Sequence, residues 1–257
     1  MKVSACSYRP ILVPCSLEKF NYQIDPYVGC GHLCHYCYVL NQAETDWAEE
    51  ILVHEDISKQ LGEELQDVPR QTIYMGYYTD PYQPCEAEYH QTRQVLELLS
   101  EKNFSVSILT KSDLVLRDMD ILREMDQPSV SVSVAFTDNN ARRKFEARTI
   151  DTGTRVRAIR RLKEAGIKTS ALICPVIPHI SEVPPLIEML APHTDTIWIY
   201  GLSMMTYGDR SRQNVAGILD DHFPDLKERI KAVIFSDEHP YWDRLRQDLV
   251  ELQQHRQ

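Results

Sequence analysis

Two hydrophobic periods alternate along this chain. Short runs rich in β-branched and aromatic residues, with apolar and polar positions largely trading places, read as strands. They are QIDPYVG at 23–29, TIYMGYYT at 72–79, SVSILTK at 105–111, SVSVSVAF at 129–136, KTSALICPVI at 168–177 and TIWIYGL at 196–202. Between them, apolar residues recur at three- and four-residue intervals and predict helices at 44–65, 86–103, 112–125, 154–165 and 183–190. The second of these sets Tyr89, Val95, Leu96 and Leu99 on one side. Ser112 or Asp113 suits an N-cap, and Gly166 a C-terminal stop. Helical segments at 213–230 and 241–253 close the chain.

Strands alternating with helices imply parallel pairing through right-handed crossovers. Six βα units are too few for a closed eight-stranded barrel. An open partial (βα)6 barrel of α/β class remains, or a flat doubly wound sheet. In either, ligands bind beyond the carboxyl ends of the strands. Cys30, Thr79, Asp80, Lys111, Thr137, Pro178, His179 and Ser203 lie just past those ends and are expected to converge on one pocket.

Composition narrows the class. The chain has 257 residues, 43% hydrophobic and 26% charged, as in soluble globular proteins. No apolar run reaches the roughly 18 residues of a membrane helix, and no secretory leader is evident, so a cytoplasmic location and no membrane partner are expected. A net charge of −10 argues against a protein that coats nucleic acid, and no stable DNA binding is expected. The charge is uneven: between Arg142 and Lys168 ten Lys/Arg face three Asp/Glu. That run is either a solvated helix face or a contact for an anionic ligand.

Three of the seven cysteines, Cys30, Cys34 and Cys37, sit within YVGCGHLCHYCYV at 27–39. Buried small hydrophobes are a poor fit beside Gly29, Gly31, His32 and His35. Zinc would need a fourth ligand, such as His32 or His35, and no second C-x2-C or H-x3-H pair exists in the chain. An iron–sulfur cluster fits better. A closed [4Fe–4S] site takes four thiolates, so a loop offering three leaves one iron open to a small chelating molecule.

This loop, with Tyr36 just before the last cysteine, resembles the radical S-adenosylmethionine (SAM) enzymes. DPYVGCGHLCHYCY, YYTDPYQPCEAEYHQTRQVLELL, ILTKSDLVLRDMDIL, SVSVAFTD and CPVIPHI, in that order, resemble the spore photoproduct lyase-related branch over about 25–179. The resemblance implies one [4Fe–4S] cluster on Cys30, Cys34 and Cys37, with SAM on the open iron and a 5′-deoxyadenosyl radical that takes a substrate hydrogen. It implies Tyr36 beside the adenine, Thr79 and Asp80 at the methionyl amine and ribose, Lys111 on the SAM carboxylate, and Ser131 or Ser133 facing the ribose. Arg143 and Arg148 are candidates for a carboxylate or phosphate, Arg148 the stronger. In the lyase a cysteine ahead of the second-strand turn returns a hydrogen to the product. Tyr77 or Tyr78 holds that place here, which leaves Cys85 and Tyr77 as the candidates for radical chemistry. Cys174, within an apolar strand, is expected in the core. The implied architecture is a partial-barrel core over 23–203, an N-terminal extension at 1–22 and a helical extension at 204–257. A small-molecule, nucleotide or peptide substrate and a flavodoxin- or ferredoxin-type electron donor follow, with the reaction class, lyase or other, open. Two readings compete: repair of a DNA photoproduct, and a non-catalytic iron–sulfur or zinc accessory module.

Overall fold

The computed structural model describes residues 1–6, 9–43, 46–236 and 239–254. Strands β1 (Lys2–Ala5), β2 (Leu12–Pro14), β3 (Tyr22–Ile24) and β4 (Tyr27–Val28) precede the cysteine loop, and β5 (Glu50–Val53) and helix α1 (Ile57–Glu64) follow it. Then come β6 (Thr72–Met75), α2 (Glu86–Tyr89), α3 (Gln91–Glu101), β7 (Ser105–Thr110), α4 (Met119–Leu122) and β8 (Ser129–Ser133). They are followed by α5 (Asn139–Phe145), α6 (Thr152–Glu164), β9 (Lys168–Val176), α7 (Val183–Leu190) and β10 (Thr196–Gly201). Helices α8 (Arg210–His222), α9 (Lys227–Ile234) and α10 (Tyr241–Gln254) end the chain.

β3, β6, β7, β8, β9 and β10 pair in that order, all parallel, and β2 adds antiparallel to the β3 edge. The order never reverses, which excludes the doubly wound sheet and gives the open order of a partial (βα)6 barrel. β6 and β10 are four strands apart, roughly 19 Å in a flat sheet. Yet Gly76, just after β6, and Gly201 of β10 line one cavity, as a curled sheet allows. Alternate residues of each strand, such as Ile73, Val106, Ile108, Val130, Val132 and Ile173, are buried in one core with Leu96 and Leu99 of α3, Ile159 and Leu162 of α6, and Leu186 of α7. The opposite face, including Tyr74, Ser107, Ser129, Ser131 and Ser170, is only half-buried and lines the open interior.

The N-terminal 22 residues contribute two of the strands. β1 and β4 flank β5 in a small separate sheet. Here the expected 44–65 helix gives way. Glu44 and Thr45 lie outside the described residues, and Glu50–Val53 is a strand because Ile51 and Val53 alternate into a buried cluster with Tyr27 and Cys85. The helix begins only at Ile57, where Asp56 caps the Lys59 N–H. The 86–103 helix is cut at His90, whose φ is +51°, and the Glu86 carboxylate accepts the Thr92 and Arg93 N–H groups that this break frees. The 112–125 segment is a 3₁₀ turn, capped by Ser112, before the short α4. The helix expected at 213–230 is two, α8 and α9, separated by the Phe223–Pro224 turn. The β8 ladder stops at Ser133 and β6 at Met75, each short of its predicted end. Gly76 explains the latter: at φ +99° a β-carbon there would meet the Leu109 carbonyl at 2.4 Å.

Candidate functional site

The cysteine loop and the carboxyl ends of β6, β7, β9 and β10 surround a cavity of about 340 Å³. Cys30, Cys34, Cys37, Thr79, Asp80, Lys111 and Ser203 line it, with Tyr36, Tyr38, Tyr77 and Tyr78. Thr137 and His179 turn elsewhere, the first onto Glu182 at 2.7 Å and the second onto the Tyr241 ring.

The cysteine loop is splinted on both sides by residues far away in sequence. On one side, fully buried Gln83 accepts the Gly31 N–H at 2.7 Å and donates to the Gly29 carbonyl at 2.9 Å, bracketing Cys30. On the other, the 145–148 segment runs beside it. Cys34 bridges Glu146, the His35 N–H donates to the Phe145 carbonyl at 2.8 Å, and Arg148 N–H donates to the His32 carbonyl at 3.1 Å. Gly29, at φ +91°, lets the chain turn here against Trp47 and Ile51. All seven cysteines are unpaired. Burial raises the Cys30 and Cys37 thiols, and lifts Cys34 to about 12 despite the nearby Lys111 charge. Iron binding at this loop must therefore displace protons from the thiols.

Behind the loop lies an ionic brace. Glu146, fully buried, receives hydrogen bonds from the Tyr36 hydroxyl, Arg155 and Thr149. Burial alone would raise its carboxyl, but the Arg155 and Lys111 charges hold it at about 2. Arg155 also donates to the carbonyls of Ser133 and Ile150. The Lys111 ammonium stands 6.0 Å from the Tyr36 ring; burial lowers its pKa, but Cys34 and Glu146 raise it above the usual lysine value. Arg142 turns inward as well, onto Thr149 at 2.7 Å. The basic run thus has two structural arginines among its charges.

Asp80 is engaged on both oxygens. Oδ1 accepts from Thr110 Oγ1 at 2.6 Å and the Tyr82 N–H at 2.9 Å; Oδ2 accepts from the Lys111 N–H at 2.7 Å and lies 3.1 Å from His32 Nε2. Burial pushes its carboxyl up, but His32, Thr110 and Lys111 overcome this and hold it at about 2. It fixes the strand ends that carry Lys111 and Thr79. Asp25 does the same from β3, accepting the Tyr78 and Thr79 N–H groups at 2.8 Å each.

Asp25 is the one carboxyl here pushed upward, by burial to about 6, against the N–H groups of Thr79 and Tyr78. A folded pKa above the unfolded one stabilises the fold at low pH, and the contribution is lost as pH rises through about 6. Asparagine keeps the Oδ1 acceptor. Asp25→Asn is therefore expected to flatten the fall in stability between pH 4 and 6, and at pH 7 to be neutral or stabilising by on the order of 1 kcal/mol. Urea unfolding at both pH values checks this; equal losses at pH 4 and 7 would contradict it.

The other expected residues lie apart. Cys85 immediately precedes α2 and is buried with Tyr27, Ile51 and Val53, away from the cavity, because two prolines carry the chain outward after Asp80. Cys174 faces the cavity instead of the core, since its place in the β9 alternation puts it on the inner face. Ser131 and Ser133 share that face but do not line the cavity, and Ser133 donates to the Cys174 carbonyl at 3.0 Å. Tyr36, by contrast, lines the cavity and donates its hydroxyl to Glu146. Arg148 reaches Met1 and Arg143 reaches Asn140, both outside the cavity. Gln83, Glu146 and Asp25 are absent from the sequence expectations. Only the position of Gln83 and Asp25 inside the stretches that carry the family resemblance hints at them.

Can these residues hold a cluster? Among the described residues, no three His, Cys, Asp or Glu side chains converge as ligands of a single ion. Three thiols free of disulfides on one loop, facing a cavity that also holds the half-buried Lys111 ammonium, fit the cluster.

The sequence model of the Radical SAM superfamily matches residues 24–189. An uncharacterized protein of Methanocaldococcus jannaschii is 28% identical over 221 residues, covering 84% of this chain and 82% of that one. A radical SAM Nα-GlyT isomerase of Pseudomonas phage M6 is 26% identical over 187 residues, 69% of this chain and 38% of the isomerase. A solved structure of a spore photoproduct lyase variant with bound AdoMet and dinucleoside spore photoproduct has a TM-score of 0.62 at 17% identity, over 85% of this chain and 66% of the lyase. The last likeness is one of fold. This chain spans about two thirds of the lyase and well under half of the isomerase.

Proposed function

The chain belongs to the radical SAM superfamily, and on that premise we propose that it binds one [4Fe–4S] cluster on Cys30, Cys34 and Cys37 and cleaves SAM there to act on a substrate C–H bond. Membership makes it an enzyme and implies a cluster and SAM. When bound, cluster and SAM supply one-electron cleavage of the sulfonium to methionine and a 5′-deoxyadenosyl radical.

One observation carries the reading. The three-thiol loop and the Lys111 ammonium open onto the same cavity, and no carboxylate of the described residues that line it is left to pair with that ammonium, since Asp80 is already engaged. A carboxylate bound on the open iron side would find its counter-charge there. Asp80 holds Lys111 by its N–H, and Thr79 is presented by Asp25. The tyrosines at the rim exclude water from a reactive intermediate. A flavodoxin- or ferredoxin-type donor would deliver the electron.

Anaerobic reconstitution should give about four iron and four sulfide per chain. Dithionite and SAM should then release 5′-deoxyadenosine, and Cys34→Ala should abolish both. Cluster-loaded protein that releases none would overturn the proposal.

A further inference from the structure

The trough below the cysteine cavity has a second mouth. Along β7, inward-facing Leu109 and the adjoining Lys111 line the upper cavity, while Ser107, the next residue in that row, lines a lower cavity of about 360 Å³. β6 repeats the arrangement with Gly76 above and Thr72 below, and β9 with Cys174 above and Lys168 below. The two cavities are therefore the ends of one trough, and from Thr72 to Gly76 it runs about 13 Å. Barrel interiors are ordinarily filled by layers of branched side chains. Between these two ends the inward rows set serines beside Leu109 and Leu172, Ser129 donating to Ser107 at 3.0 Å, with Ser131 and Ser170 beyond, the serines all half-buried.

Aromatic rings flank the serines. Tyr74 stands 5.3 Å from Phe20 and 6.4 Å from Tyr77 on one wall. Trp198 and Tyr200, each 51% exposed, project from the inner face of β10 on the other. The lower mouth carries Lys19 and Lys168 with amides and hydroxyls, and no acidic residue among the described residues that line it, in a chain of net charge −10.

We propose that this trough binds a nucleotide unit: phosphate at Lys19 and Lys168, ring between the tyrosine and tryptophan walls, sugar or base edge on the serine hydroxyls. Phosphates are held by such lysines, and ring stacking on aromatic walls supplies affinity without demanding one base. A small inorganic anion would have no use for the rings, and an apolar substrate none for the lysines. The proposal deepens the function above, since the end of such a substrate away from the lysines points into the cysteine cavity. Its binding arm does not depend on radical chemistry.

The test titrates the cluster-loaded chain with uridine 5′-phosphate, uridine, inorganic phosphate and single-stranded octauridylate, by calorimetry. The phosphorylated nucleoside should bind roughly tenfold more tightly than uridine or phosphate, the low end of what one stacked base contributes. Lys19→Gln with Lys168→Gln should reduce it to the uridine level, and Trp198→Ala should weaken uridine and the nucleotide but not phosphate. Octauridylate binding more tightly than the mononucleotide assigns the site to a strand end; equal affinity assigns it to a free nucleotide. Either upholds it. A nucleotide that binds no better than phosphate, or a lysine double variant that binds as wild type does, overturns it. SAM cleavage measured on the same samples reports separately on the cysteine cavity.

Discussion

Replacing Gln83 by leucine is expected to leave a folded chain that has lost most of its iron. Gln83 touches no thiol; its effect runs through the backbone on either side of Cys30. Its Oε1 takes the Gly31 N–H and its Nε2 gives to the Gly29 carbonyl, both in a fully buried setting. Leucine leaves those two groups unpaired at about 1–3 kcal/mol each, and the loop relieves that cost by moving. Moving it displaces Cys30 relative to Cys34 and Cys37, which remain pinned to the 145–148 segment. The bulk of the fold, built on the strand and helix core, does not pass through Gln83. Glutamate at 83 keeps the acceptor for Gly31 but loses the donor for Gly29, so Gln83→Glu should retain an intermediate amount. Iron and sulfide analysis, with far-UV circular dichroism on the same samples, checks this; full iron loading in Gln83→Leu would remove Gln83 as a positioning residue.

Which parts were legible in sequence follows from what each signal depends on. β7, β8 and β9 were readable because each alternates over five or more residues, and parallel sequential pairing followed from their spacing by helices. The 44–65 stretch failed for the opposite reason. Its acids and apolars suit a surface helix, and only the presence of β1 and β4 on either side makes Glu50–Val53 a strand. Local propensity has no access to that pairing. The cysteine loop declared itself by spacing alone, as did Thr79, Asp80 and Lys111 by position after strands. Asp80 nonetheless shows the limit of position: it lines the cavity, but the four groups upon its oxygens are visible only in three dimensions. Cys174 faces inward because of its parity in β9, whereas Cys85 leaves the cavity because Pro81 and Pro84 carry the chain outward; local apolarity reveals neither.

Glu146→Gln should cost more stability than any other single change near this site. Glu146 and Arg155 form a fully buried pair, and Lys111 adds a second positive charge nearby. Glutamine keeps the shape and one acceptor but leaves the buried Arg155 uncompensated and deprives half-buried Lys111 of a nearby charge, and breaking such a pair costs about 3–5 kcal/mol. The pH dependence gives an independent figure of similar size. The Glu146 carboxyl is held at about 2, below its ordinary 4.5, so the pair stabilises the fold above the ordinary value and loses that contribution as pH falls towards 2. That shift corresponds to on the order of 3 kcal/mol at neutral pH. Wild type and Glu146→Gln should therefore differ most near pH 7 and converge in acid. Adding Arg155→Gln to Glu146→Gln removes one uncompensated cation, so the double variant should be less destabilised than the sum of the singles. Because Cys34 pairs with Glu146 and Tyr36 donates to it, the single variant should also load iron poorly even under conditions where it stays folded. Thermal melts across pH 3–7 decide the matter. A melting difference that is the same in acid as at neutrality would mean that the carboxylate's charge is not what holds this side of the loop.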